Sequence, residues 1–119
     1  MTDYEFELPF PPSVNACWRV FRNRSILSQR GREYRDEVIN HMKCIGIYEE
    51  MISDRLRVRL ELYPPDARRR DIDNYCKATL DALSHAKFWI DDEQIDELTI
   101  KRMNKVEGGI IIMRVDLID

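Results

Sequence analysis

The nine residues from Arg55 to Tyr63 alternate without a break: Leu56, Val58, Leu60 and Leu62 fall on one side, and Arg55, Arg57, Arg59 and Glu61 on the other. A period of two marks a strand with one buried and one wet face, and a slip of one residue would turn the whole apolar set outward. Pro64-Pro65 ends that strand. The fold must therefore hold a sheet with a core on one side of this segment. With 119 residues there is room for one core of normal size, so residues 1–119 are read as a single domain. Apolar residues make up 44% and charged residues 34%, too much greasy material for a chain disordered throughout.

The remaining elements assemble around that strand. Tyr4-Glu5-Phe6-Glu7-Leu8 alternates and runs into Pro9, Pro11 and Pro12, which predicts a short strand followed by a stiff extended turn over Pro11-Pro12-Ser13-Val14-Asn15. Residues 18–27 suit a short hairpin. Ser28 is placed to cap a helix on which Tyr34, Val38, Ile39, Met42 and Ile45 recur at helical spacing, and Gly46 stops it. A second helix is expected from Asn74 to about Ala86, with Cys76, Leu80 and Leu83 on one stripe. Two further strands, Ile95 to Met103 and Ile110 to Leu117, are separated by Gly108-Gly109, which helps make the turn. The order β, helix, β, helix, β, β predicts an α+β (α/β-like) domain, a small mixed sheet with two main helices packed against it.

Several classes of function are excluded. No apolar run approaches the ~18–20 residues of a membrane-spanning helix. The acidic start Met1-Thr2-Asp3-Tyr4-Glu5 does not resemble a secretory signal, so a cytoplasmic location is expected. Three cysteines without a CxxC pair argue for reduced thiols and against a disulfide scaffold or structural zinc. Cys44 and Cys76 fall on apolar helix faces and read as packing residues, and His41 and His85 as surface or boundary residues. No P-loop, GxGxxG or GxSxG occurs, so no nucleotide cofactor and no serine-hydrolase chemistry is expected.

The net charge of −3 hides an uneven layout. Residues 1–70 hold 13 Lys/Arg against 11 Asp/Glu, and residues 71–119 hold 6 against 11. Arg19, Arg22, Arg24, Arg30, Arg32 and Arg35 share their stretch with one acid, Glu33. Arg55, Arg57, Arg59, Arg68, Arg69 and Arg70 form a second cluster, with Glu61 and Asp66. Arginine is the choice where a bidentate fork meets phosphate, and a basic patch beside carboxylates suits a protein that grips a polyanion and brings a cation to it.

The chemistry concentrates in Arg68-Arg69-Arg70-Asp71-Ile72-Asp73-Asn74-Tyr75-Cys76-Lys77, between the proline-ended strand and a helix mouth. Asp71 and Asp73, two apart in extended backbone, point the same way and repel unless one is protonated or a cation lies between them. Such hard oxygen donors suit magnesium, with manganese a possible substitute. Helix capping explains either acid singly, but it leaves the three arginines ahead of the pair unexplained. Lys77 lies one turn after Asp73, able to bridge to it or to meet a phosphate. Asp91-Asp92-Glu93 follows Phe88-Trp89-Ile90, which is apolar enough to anchor it in the core; it reads either as an exposed turn or as the source of a third carboxylate.

At these residues the chain resembles the RusA family of Holliday-junction resolvases. The likeness runs from Leu8-Pro9-Phe10-Pro11-Pro12-Ser13-Val14-Asn15 through Tyr34-Arg35-Asp36. It is strongest over Arg68 to Asn74 with Lys77, then Asp81-Ala82-Leu83 and Phe88 to Ile95. The resemblance implies a homodimeric, magnesium-dependent endodeoxyribonuclease, bacterial or phage-encoded, that nicks opposed strands of four-way junction DNA in recombination and repair. It implies metal ligation by Asp71, Asp73 and Asp92, a catalytic Lys77, and DNA contacts from Arg70. Arg68 and Arg69 would clamp flanking phosphates with it, and Ser13, Asn15 and Asn74 would bond the backbone nearby. Two departures stand out. Ala16 occupies a position often basic or polar in relatives, consistent with weaker non-specific DNA affinity. Lys87 occupies a helix exit where the family has glycine; a left-handed non-glycine residue costs about 1 kcal/mol, so a different exit is expected. The competing classes are a structure-selective DNA-binding protein without catalysis, a nuclease acting on other branched DNA or RNA, and a purely structural protein.

Overall fold

The alternating segment Arg55–Tyr63 lies inside a four-stranded sheet, and the computed structural model, which describes residues 2–118, builds the rest of the chain around it. The elements in chain order are β1 (Tyr4–Pro9), α1 (Val14–Cys17), β2 (Trp18–Phe21), β3 (Arg24–Leu27), α2 (Gln29–Ile45), β4 (Arg55–Tyr63), α3 (Lys77–His85), β5 (Ile95–Arg102) and β6 (Ile110–Ile118). Short 3-10 turns at Ile72–Tyr75 and Asp92–Gln94 lead into α3 and β5. The sheet order is β1-β6-β4-β5, with β6 antiparallel to both neighbours and β5 parallel to β4. Strands β2 and β3 form the expected hairpin apart from the sheet. The α+β architecture is as the sequence indicates.

One local expectation changes. Gly108 and Gly109 do turn the chain with left-handed backbones, φ 82° and 67°. They do not close a hairpin between β5 and β6, because β6 enters the sheet between β1 and β4. The run Ile110 to Val115 holds β-branched and apolar residues throughout, which suits an interior strand flanked on both sides.

One face of the sheet carries the core. Leu56, Val58, Leu60 and Leu62 of β4 bury with Ile111, Met113 and Val115 of β6 and Phe6 and Leu8 of β1. Over them lie Tyr34, Val38 and Met42 of α2 and Leu80, Ala82 and Leu83 of α3. Ser28 caps α2 by accepting from the Gly31 amide at 3.1 Å, and Gly46 ends it at φ 83°. Phe88 and Trp89 are fully buried as anchors, whereas Ile90 is exposed. Cys44 also differs from expectation: it faces solvent on α2 rather than packing, while Cys17 is buried and Cys76 half-buried.

The exit of α3 takes the left-handed form despite its lysine. Lys87 stands at φ 56°, its amide bonding the Ser84 carbonyl and the Phe88 amide the Leu83 carbonyl. That is the paired bonding of a Schellman ending. Burial of Phe88 and Trp89 directly behind it outweighs the conformational cost, since each buries far more than 1 kcal/mol of apolar surface.

A buried hydroxyl pair ties three segments together. Tyr34 donates to the Pro9 carbonyl at 2.8 Å and accepts from Thr79, with its oxygen 3.0 Å away, so α2 is fixed to the end of β1 and to α3. Thr79 is fully buried, and burial raises the Tyr34 pKa well above its ordinary value. Tyr34→Phe should cost about 1–3 kcal/mol in urea unfolding, because a buried carbonyl and hydroxyl lose their partner. Thr79→Val should cost a similar amount, and the double variant less than the sum. Strictly additive losses would show that the two hydroxyls do not act as a unit.

Candidate active site

Beyond Pro64-Pro65 the chain is organised by Asp66. Its carboxylate accepts from the Arg68 amide at 3.0 Å and from Arg70 Nη1 at 2.8 Å, and Arg70 also donates to the Asp66 carbonyl at 3.2 Å. Arg70's side chain is only 10% exposed, with its guanidinium 5.7 Å from the Phe10 ring and 5.9 Å from the Tyr75 ring. The Arg70 carbonyl accepts from Arg102 at the end of β5. Arg70 is therefore a pin for the loop, engaged on every side. Arg68, 75% exposed, and the exposed Arg69 are the members of the triplet that face solvent.

This pinned loop delivers Asp71 and Asp73 to the mouth of α3. Asp71 flanks the Ile72–Tyr75 turn without capping it, and Cys76, not Asp73, occupies the cap position of α3. Among the described residues neither carboxylate enters an ion pair. Capping, the structural alternative for these acids, does not account for them. Two exposed carboxylates are thus left at one helix entrance with no internal partner.

Lys77 opens α3. Its ammonium bonds Asp81 at 3.0 Å and lies 5.2 Å from the centre of the Trp18 ring. Among the described residues the buried Trp18 Nε1 finds no acceptor, so this edge of the site is polar and unsatisfied. A cleft lined by Lys77, Asp81, Asp92, Arg35 and Trp18 separates α3 from the acidic turn. Asp91 is committed to that turn: it accepts from the Glu93 amide at 3.2 Å and closes a capping box with Gln94. Gln94 in turn bonds the Ile52 and Asp54 carbonyls at 2.9 Å each, which locks the turn to the lead-in of β4. Asp92 is left facing the cleft. Burial, its hydrogen bond with Asp91 and the nearby charge of Asp81 push its carboxyl above the usual range, with Lys77 opposing.

Among the described residues no three Asp, Glu, His or Cys side chains stand close enough to hold a metal ion. Asp71, Asp73 and Asp92 are therefore not gathered into one three-ligand group. The electrostatic neighbours of Asp92 are Asp81, Asp91 and Lys77. Ser13 spends its hydroxyl capping α1, accepting from the Ala16 amide at 3.3 Å, and borders a cleft of about 840 Å³ with Arg30, Arg68 and Arg70. Asn15 is exposed beside Trp18 and Lys77, and Asn74 is half-buried in the turn before α3.

The two arginine clusters part ways. Arg55 pairs with Glu93 at 3.1 Å and Asp96 at 2.5 Å, Arg57 with Glu97, and Arg59 with Glu61 at 3.4 Å, all on the sheet face away from the helices. They are removed from the basic patch that the sequence suggests. Arg19, Arg22, Arg24, Arg30, Arg32 and Arg35 form no ion pair among the described residues. Sequence reasoning missed Asp81 as the partner of Lys77, though the i,i+4 spacing signals it. It also missed the roles of Trp18, Phe10 and Tyr75, which no local pattern announces.

A family model described as Endodeoxyribonuclease RusA matches residues 9–114, a span that contains every element of this site. The chain belongs to the RusA family. It is 40% identical over 109 residues to the crossover junction endodeoxyribonuclease of Enterobacteria phage HK97, covering 92% of this chain and 90% of that protein. The proteins of the same name from Enterobacteria phage 82 and Escherichia coli strain K12 are each 38% identical over the same shares. RusA membership agrees with the resemblance read from Arg68 to Lys77. No helix among the described residues is long and apolar enough to cross a membrane.

The pin at Asp66 makes a pH prediction. Arg70 and the Arg68 amide hold the Asp66 carboxyl below its ordinary pKa, so its contribution to loop order is present above the unfolded value and lost as pH falls through the depressed one. The Arg68 amide resonance should titrate with a midpoint below the ordinary Asp range, and Asp66→Asn should abolish that titration. An ordinary midpoint would mean that the pin is not formed in solution.

Proposed function

We propose that this protein is a magnesium-dependent endodeoxyribonuclease that resolves four-way (Holliday) junctions by paired, symmetric nicks, working in the cytoplasm as a homodimer. The observation that carries this reading is the pair Asp71 and Asp73, uncapped and without an ion-pair partner at the mouth of α3, in a chain of the RusA family. The donor chemistry fits the ion. Magnesium takes one or two carboxylates and completes its shell with waters and phosphate oxygens, so a ready-made group of three protein ligands is not required. Asp71 and Asp73 would hold it, with Asp92 the third candidate. A bound magnesium supplies a water of lowered pKa and polarises the scissile phosphate.

The chain's own residues do the rest. Lys77 brings positive charge to where the non-bridging oxygens gain negative charge, and its bond to Asp81 holds the ammonium at that edge until phosphate competes for it. Arg68 and Arg69 reach flanking phosphates, while Arg70 keeps the Asp71-Asp73 backbone in place through Asp66, Phe10 and Tyr75. Ser13 and Asn15 line the approaches, and Asn74, half-buried in the turn before α3, would add a third hydrogen-bonding group. A centre of this kind cuts one strand, so two opposed cuts call for two copies about a two-fold axis.

The test is a panel of four-way, flap, duplex and RNA substrates with and without magnesium. Nicking should be confined to the four-way junction with magnesium present. Asp73→Asn should abolish it while junction binding survives, and Lys77→Ala should slow it by about a hundred-fold or more. Arg57→Ala, on the far face of the sheet, should change neither. Junction binding with no magnesium-dependent product from the unaltered chain would replace the nuclease with a binding protein, and a fully active Asp73→Asn would overturn the metal site.

A further inference from the structure

The hairpin of β2 and β3 stands beside the site and takes no part in the chemistry proposed for it. Its register pairs Trp18 with Leu27 and Phe21 with Arg24, leaving Arg22-Asn23 as a two-residue turn. Both turn residues are left-handed, φ 51° and 62°, as a type I′ hairpin requires. The tip is apolar and bare: Val20 is 77% exposed and Phe21 53%. Residues 18–27 contain three arginines and no acid. None of Arg19, Arg22 and Arg24 forms an ion pair among the described residues, and Arg22's guanidinium lies 5.2 Å from the Phe21 ring centre.

An apolar ring and a valine set among unpaired arginines complement a polyanion that also offers flat apolar faces. Nucleic acid with unstacked bases has both, since an aromatic or arginine plane stacks on any base and the remaining guanidinium groups meet phosphate. An intact duplex hides its base faces in the stack, whereas a branch point interrupts it. The position also fits. At the hairpin's root, Trp18 lies under the Lys77 ammonium, and Phe21 is three strand residues further out, roughly 10 Å. That keeps the ring within a few nucleotides of a phosphate held at Lys77.

We propose that the Val20-Phe21 tip stacks on the unstacked bases at the branch point while Arg19, Arg22 and Arg24 hold the phosphates around it, so that the hairpin discriminates junction from duplex. This assignment rests on the resolvase reading above and adds a recognition element that the metal site does not need. Insertion of an apolar side chain at an interrupted stack is a known way to read nucleic-acid shape without reading sequence. Removing the ring costs only the bases it covers, because Phe21 is exposed and, among the described residues, is not packed against the core.

The experiment is fluorescence of a four-way junction carrying 2-aminopurine at the branch nucleotides, titrated with the intact protein in EDTA so that nothing is cut. Binding should change the 2-aminopurine emission. Phe21→Ala should remove that change and weaken junction binding by about ten-fold while duplex binding stays constant, and Phe21→Trp should retain both signals. An unchanged emission signal in Phe21→Ala, or equal losses on junction and duplex, overturns the proposal. So does a fall of the sedimenting mass to that of one chain in Phe21→Ala, which would make the tip a contact between copies. If the unaltered chain binds no junction, the resolvase reading fails and the hairpin assignment with it; junction binding without an emission change sinks the hairpin alone.

Discussion

The site depends on the buried contact among Tyr34, Thr79 and Pro9. Those three positions belong to α2, α3 and the end of β1, and each leads directly to side chains of the candidate site. Pro9 opens the proline turn that carries Ser13 and Asn15, Thr79 lies two residues beyond Lys77, and Tyr34 shares its helix with Arg30 and Arg35. Hydroxyls buried without partners would be costly, so the contact favours one arrangement of the three segments over its near neighbours. Arg70 performs the same service from the other side, gripping the loop between two aromatic rings and Asp66.

Charge pairing then decides which arginines can meet a ligand. On the solvent face of the sheet the parallel neighbour β5 brings Asp96 and Glu97 against Arg55 and Arg57, and Arg114 and Arg59 converge on Glu61, itself only 6% exposed. Those cations are ion-paired within the protein. Among the described residues the cluster from Arg19 to Arg35 has no such partners, and its members Arg30 and Arg35 line the clefts that contain Ser13 and, respectively, Lys77 with Asp92. A chain with net charge −3 can therefore still leave unpaired arginines on the site side, because Glu61, Glu93, Asp96 and Glu97 pair with arginines on the opposite face; Glu33, Asp36 and Glu37 share the Ser13 cleft with Arg30.

Much of the fold is legible in the sequence because the signals are local. The alternation of β4, the Ser28 cap, the Gly46 stop and the hairpin over residues 18–27 each depend on neighbours a few positions apart. What escapes is non-local. Nothing in residues 95–118 says that β6 slips between β1 and β4, and once it does, Glu61 faces Arg114 rather than water. Arg55, Arg57 and Arg59 read as phosphate ligands only while their partners on β5 and β6 are unknown. Arg70 reads as a third clamp until Phe10, some sixty residues earlier, is seen against it. Lys87 shows the reverse case, a locally disfavoured conformation held by the buried aromatics that follow. The acids Asp71 and Asp73 stand out in the sequence because they sit in one contiguous segment; the place of Asp92, facing Asp81 and Lys77, is set by packing between α3 and the turn held by Gln94.

The proposed nuclease chemistry depends on a divalent cation held at Asp71 and Asp73. Paramagnetic broadening of the amide resonances by trace manganese reads that location directly, without DNA or turnover. The amides from Asp71 to Asn74 should broaden first, and excess magnesium should restore them. Broadening centred instead on Glu33, Asp36 and Glu37 of α2, or none near Asp71 at any manganese level, would contradict it.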